Sequence, residues 1–165
     1  MKKSYCQMLV LAIAVMLCVV LVLCLYQCRK KVSDLTTLAS NAESMTVYDL
    51  EGLREHSKED LDQAFQEPFD IDLFRELAPK AKFKYSMGIW KGSRLAILKL
   101  KDGTEKRLAI SYWGSFFKIR GEGGYYRFDG EAAKRFDKAF MDIVYEKFIP
   151  KRIERKKQQE ENIND

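Results

Sequence analysis

Beyond residue 28 the chain contains no cysteine, and its one histidine is His56. A thiol-free folded part has neither a disulfide nor a thiolate metal site, and a single histidine leaves little with which to activate a hydroxyl nucleophile. No internal repeat is present. Charge, proline and glycine are all missing from Met8 to Tyr26, and that gap is the strongest signal in the sequence.

What fills the gap is MLVLAIAVMLCVVLVLCLY, nineteen apolar or weakly polar residues. At about 1.5 Å per helical residue it reaches almost the roughly 30 Å of a bilayer's hydrocarbon core. Lys2 and Lys3 precede it, Arg29, Lys30 and Lys31 follow it, and Tyr26 stands where an interfacial aromatic is expected. A cleaved signal peptide fits less well, because the run exceeds the usual apolar core of such a leader and meets a basic cluster directly. A lipoprotein needs a small residue before its modified cysteine, whereas Leu23 precedes Cys24 and Gln27 precedes Cys28. All four cysteines (Cys6, Cys18, Cys24, Cys28) lie in or beside this run, and Cys28 at the membrane edge reads as an ordinary juxtamembrane thiol or a reversible acylation site. Residues 8–26 are therefore expected to be a transmembrane signal anchor after a short tail at 1–7. The similar basic flanks say little about orientation. The Met-Lys-Lys start resembles that of bacterial exported proteins and places the domain outside the cytoplasm of a bacterial cell.

The chain has 165 residues, and the part beyond the anchor is long enough for one ordinary domain. With 47% hydrophobic residues, ten Phe and eight Tyr, it can fill a core. Its charge is divided: eleven Asp or Glu face three Lys or Arg between Asn41 and Pro79, and eighteen Lys or Arg face eight acids between Lys80 and Arg152. The two stretches have opposite sign.

Residues 27–44 read as a juxtamembrane stalk that can continue the membrane helix, with Val32, Leu35 and Leu38 at helical spacing, and 45–150 as the soluble α+β domain. Met45–Leu50 has strand composition. Ser57 with Asp60 predicts a capped helix carrying Leu61, Ala64 and Phe65 up to Pro68; Asp70 or Asp72 caps another, with Leu73, Phe74 and Leu77 inward. From Phe83 to Phe128, β-prone runs alternate with the turn signals Lys91-Gly92-Ser93, Lys101-Asp102-Gly103-Thr104, Trp113-Gly114-Ser115 and Gly121-Glu122-Gly123-Gly124, which predicts an antiparallel meander of about 4–5 strands. Strict alternation puts Ala96, Leu98, Leu100, Leu108, Ile110, Phe117, Ile119, Tyr126 and Phe128 on one face. Lys99, Lys101, Arg107, Phe116, Lys118, Arg120, Tyr125 and Arg127 then share the other. A long helix from Asp129 to Ile149 carries Ala132, Ala133, Phe136, Phe140, Ile143, Val144 and Phe148 as a stripe to cover the apolar face, with shorter N-terminal helices beside it. Pro150 is expected to end it, leaving 151–165 as a charged, flexible tail.

Chemistry is sparse. His56, in an acidic loop, reads as a solvated side chain. The pairs Asp60/Asp62 and Asp70/Asp72 lack calcium-loop spacing and suit helix starts. The glycines at 121–124 lack the lysine of a phosphate loop and lead into a strand. Arg120-Gly121 with Tyr125, Tyr126 and Phe128 only faintly resembles the RNA-binding strand of RNA-recognition domains, with Glu122 where an aromatic belongs, so nucleic acid is disfavoured. No cofactor is implied. The basic strand face, centred on Phe116 and Tyr125, either grips an anionic partner or is the solvated outer side of a one-sided sheet, or is neutralised by the acidic segment. Trp113, beside Tyr112 at a turn, belongs to the core or to the rim of that face. The expectation is a membrane-anchored, non-enzymatic binding or accessory domain for a protein or polyanionic partner. Docking on lipid headgroups ranks second and a small carboxylate hydrolase third.

Overall fold

A computed structural model describes residues 2–50, 58–85, 93–112 and 114–164. His56, Ser57, the Lys91-Gly92 turn and Trp113 lie outside the described residues.

A single helix, α1 (Lys2–Asn41), contains the apolar run. It is long and apolar enough to cross a membrane, and the large apolar side chains described along that run, from Met8 to Tyr26, are all exposed. The helix continues unbroken through Asn41, and Leu35 and Ala39 are fully buried in the domain core, with Cys28, Val32 and Leu38 packed against it. Spacings of three and four residues put Cys28, Val32, Leu35 and Ala39 on one side of the helix, which is how a helix that begins as an exposed apolar run ends as a core element. Strand β1 (Ala42–Asp49) starts at the next residue.

The chain then forms α2 (Lys58–Gln63), β2 (Phe65–Phe69), α3 (Ile71–Leu77), a 3₁₀ turn (Ala78–Lys80) and β3 (Lys82–Lys84). Asp70 is the cap of α3, accepting hydrogen bonds from the backbone N–H groups of Asp72 and Leu73 at 2.9 and 3.1 Å. The end of the helix expected up to Pro68 is instead β2. As an edge strand it tolerates a proline, because the missing N–H can face away from the ladder.

Strands β4 (Ser93–Leu100), β5 (Glu105–Ser111), β6 (Phe116–Ile119) and β7 (Tyr125–Arg127) form the expected meander. The sheet is larger than expected, with seven strands in the order β2-β1-β4-β5-β6-β7-β3, every pair antiparallel. The additional strands are the short flanking ones, whose three to five residues are too few to show a period of two. All nine residues assigned to the apolar face are buried, together with Met45 and Val47 of β1. Over them lie the end of α1, Phe74 and Leu77 of α3, and Phe136, Phe140, Val144 and Phe148 of the C-terminal helix. Each fully buried Phe contributes about 1.5–3 kcal/mol relative to exposure. Phe117 anchors the centre, with ring centroids of Phe74, Tyr126, Phe128 and Phe136 between 5.3 and 6.2 Å away.

Helix α4 (Gly130–Asp142) passes into a π-helical segment (Ile143–Phe148) and then α5 (Ile149–Asn164). The core residues 136, 140, 144 and 148 repeat every four positions, and on a helix of 3.6 residues per turn such a stripe drifts by about 40° per step. The wider π turn offsets the drift and keeps Val144 and Phe148 inward. Pro150 does not end the helix. It falls just after the π segment, where hydrogen bonding has already changed register, as in the Ile149 N–H to Val144 carbonyl bond. The tail 151–165 is therefore helical through Asn164, and its first turns are docked.

Candidate binding face and juxtamembrane cleft

Opposite the helices, the register places Lys99, Arg107, Phe116, Lys118, Tyr125 and Arg127 on the outer face of β4–β7, with Arg120 just beyond β6. Lys101 lies in the β4–β5 turn, past the end of its strand. Phe116 and Tyr125, both partly buried, sit side by side with ring centroids 5.8 Å apart, and the Arg127 guanidinium lies 5.2 Å from the Phe116 centroid. Lys82 and Lys84 of β3, the edge strand beyond β7, pair in register with Arg127 and Tyr125 and also line the cleft against α1. The opposite, β1–β4 part of this face differs: Leu95 and Ile97 are buried there, so the outer side is not uniformly solvated.

Several of these cations have internal partners. Lys99 pairs with Glu43 at 3.6 Å, and Asp129 receives Arg127 at 2.5 Å and Lys82 at 2.9 Å. The hydrogen bond from Lys82, reinforced by the nearby Arg127 charge, holds the Asp129 carboxyl below its ordinary range. Three acids of the acidic segment are turned to the helical side. Asp49, 5% exposed, takes both arms of Arg152, and Glu67 pairs with Lys151. Arg155 lies over the Phe65 ring at 3.9 Å and donates to the Gln63 carbonyl at 3.1 Å. Glu76 takes a bidentate Arg135 at 2.5 and 2.6 Å together with Lys80 at 2.9 Å. Among the described residues these opposite charges meet through α4 and α5 on the helical side of the sheet, and through Glu43 and Lys99 on the other.

A second feature lies where α1 enters the domain. Its backbone is tied down at Lys31, whose carbonyl accepts from the Tyr126 hydroxyl at 3.3 Å and whose ammonium bonds Glu122 at 2.9 Å. Burial pushes the Tyr126 phenol well above its ordinary range, and the Glu122 hydrogen bond raises Lys31. Gly124 closes the β6–β7 turn over β3 with φ +83°, and a Cβ there would stand 2.5 Å from the Lys84 carbonyl oxygen. Between α1 and β3 a cleft of about 440 Å³ remains, floored by Leu25, Cys28, Val32, Ala81 and Phe83 and edged by Arg29, Lys82 and Lys84.

A third cluster is buried. Arg94, 6% exposed, lies on the core side of β4 with its guanidinium 4.4 Å from the Tyr112 ring centroid and 5.9 Å from that of Phe140. Its Nε and Nη1 are buried without hydrogen-bond partners among the described residues, as are, separately, Ser111 Oγ on the other face of the sheet and Asp137 Oδ1 of α4. Burial raises the Asp137 carboxyl, against a hydrogen bond from Ser115 that lowers it. Sequence reading missed this cluster, although its signal was there: the register Arg94, Ala96, Leu98, Leu100 puts an arginine on an apolar stripe. Among the described residues no group of three His, Cys, Asp or Glu side chains is placed to hold a metal ion.

Comparison with family models, with curated proteins and with solved structures gives no match.

Proposed function

We propose that this chain is a single-pass membrane protein whose α+β domain is a non-enzymatic binding module, recognising a partner that presents acidic groups close to the membrane surface. The observation that carries this reading is the outer face of β5–β7: a Phe116–Tyr125 ring pair set among Arg107, Lys118, Arg120 and Arg127, opposite the packed helices. Aromatic surface among arginines and lysines suits recognition of anionic groups, since the rings supply contact area and the cations supply attraction and register. The acids Asp49, Glu67 and Glu76 are engaged by cations of α4 and α5 on the helical side of the sheet rather than by this face. Docking of the C-terminal cations on lipid headgroups is less well supported, because Lys151, Arg152 and Arg155 are held internally. A carboxylate hydrolase lacks support as well, since the juxtamembrane cleft is edged by cations.

The test uses the full chain in zwitterionic nanodiscs with fluorescent polyglutamate as probe. Binding should weaken as salt rises and drop at least about tenfold when Arg107→Glu and Lys118→Glu are combined, each charge contributing on the order of 1 kcal/mol. Undiminished binding by a folded double variant would overturn the assignment of this face. The Met-Lys-Lys start supports a signal anchor in a bacterial cell membrane with the domain outside the cytoplasm. Protease added to intact cells should then digest the domain, and full protection there with digestion in lysed cells would reverse the orientation.

A further inference from the structure

The cleft between α1 and β3 begins at Leu25, inside the apolar run, and ends at Val32, inside the domain. Seven helical steps at 1.5 Å make about 10 Å, enough to cross the roughly 5–7.5 Å of one headgroup layer. Its floor therefore continues the hydrocarbon-facing surface of the span upward, while its edge stands at headgroup height. Unbroken helix and the Lys31 contacts to Glu122 and Tyr126 set that geometry. Of the three cations at the edge, Lys82 is paired with Asp129, whereas Arg29 and Lys84 have no carboxylate partner among the described residues. An apolar groove of this size, with few polar groups and two such cations among its lining residues, has the character of a site for one amphiphile with an anionic head.

We propose that this cleft holds a single anionic phospholipid of the surrounding leaflet, an acyl chain lying along Leu25, Cys28, Val32 and Phe83 and the phosphate between Arg29 and Lys84. The assignment rests on α1 spanning the bilayer but not on the outer-face binding reading, since none of Arg107, Phe116, Lys118 or Tyr125 lines the cleft. The floor excludes water from the chain, and the cations choose the head, because basic side chains at the membrane surface attract anionic lipid appreciably. A bound lipid would also fill the gap between α1 and β3, so it would strengthen the junction through which the span holds the domain.

Native mass spectrometry of the full chain released from bilayers of phosphatidylcholine containing a minor fraction of phosphatidylglycerol tests this. Wild type is expected to retain one phosphatidylglycerol in preference to phosphatidylcholine. Combined Arg29→Gln and Lys84→Gln should lower that retention roughly tenfold, and Val32→Trp should fill the floor and abolish it, with circular dichroism confirming that each variant folds. Lys99→Gln with Lys118→Gln, on the outer face, should retain lipid as wild type does. Equal retention of both lipids, or equal loss from the cleft and outer-face variants, overturns the site while leaving the span intact. Extraction of the chain from membranes by alkaline carbonate overturns the span and the site together.

Discussion

Glu76 lies on the solvent side of α3, yet the Arg135 hydrogen bonds, with Lys80 beside them, hold its carboxyl down from 4.5 to about 2. A carboxylate lowered in the folded state adds stability above its unfolded value and loses it as pH falls through the folded one. The contribution is therefore present at neutral pH and disappears between pH 4.5 and about 2. Glu76→Gln should flatten that part of the acid-denaturation profile, so that variant and wild type differ near pH 6 and converge near pH 2 by circular dichroism; a constant gap across this range would refute the linkage. Residues of this sort are visible in sequence as composition only. Eleven acids and eighteen bases in two stretches announce that charges will meet, but not that Glu76 meets Arg135. The partner is set by how α3 and α4 pack, a tertiary fact with no local period.

At the scale of elements, α5 is where sequence reasoning failed most plainly. A polar segment after a proline has the composition of a tail, and its helix is held in place by a target far away in sequence: Asp49 at the end of β1, buried and bidentate to Arg152. Arg152→Met should destabilise the domain by about 3 kcal/mol, because Asp49 is then buried without its counter-charge. Pairing that change with Asp49→Leu should recover much of the loss. Urea denaturation of the three proteins checks both, and a loss below about 1 kcal/mol for the single variant would mean that α5 is not anchored here. The meander was legible for the opposite reason. Alternation over β4–β7 is a property of the strands themselves, and all nine residues it assigned inward are buried. The outer face followed from the same alternation. It does not show which cations are neutralised across strands, as Lys99 is by Glu43, nor that Leu95 and Ile97 are buried.

The whole molecule has no flexible joint between α1 and the sheet. Since Leu35 and Ala39 belong to the core and Arg152 secures β1, a unit cut at 45–150 lacks part of its own interior. Deleting the buried leucine alone costs about 2–5 kcal/mol by analogy with large-to-small core changes, a large share of the stability of a small domain. A 45–150 fragment should therefore show no cooperative thermal transition, whereas 27–165 should unfold cooperatively. Cooperative melting of the shorter fragment would show that the end of α1 is dispensable. In sequence, Val32, Leu35 and Leu38 show the helical spacing but are too few apolar positions to reveal that Leu35 and Ala39 pack into the core.

Because α1 runs without interruption from the apolar run into the core, the proposed membrane span gives the bilayer a part in how the domain comes to fold. Starting a helix is the costly step in water, with a nucleation constant of about 10⁻³, while extending one is close to neutral. Inside hydrocarbon the backbone has no alternative to the helix. Once Met8–Tyr26 is inserted, the turns that carry Leu35 and Ala39 need only grow from a helix already made. The strands, synthesised later, then condense on an existing surface, and the membrane serves as the template on which the domain is assembled.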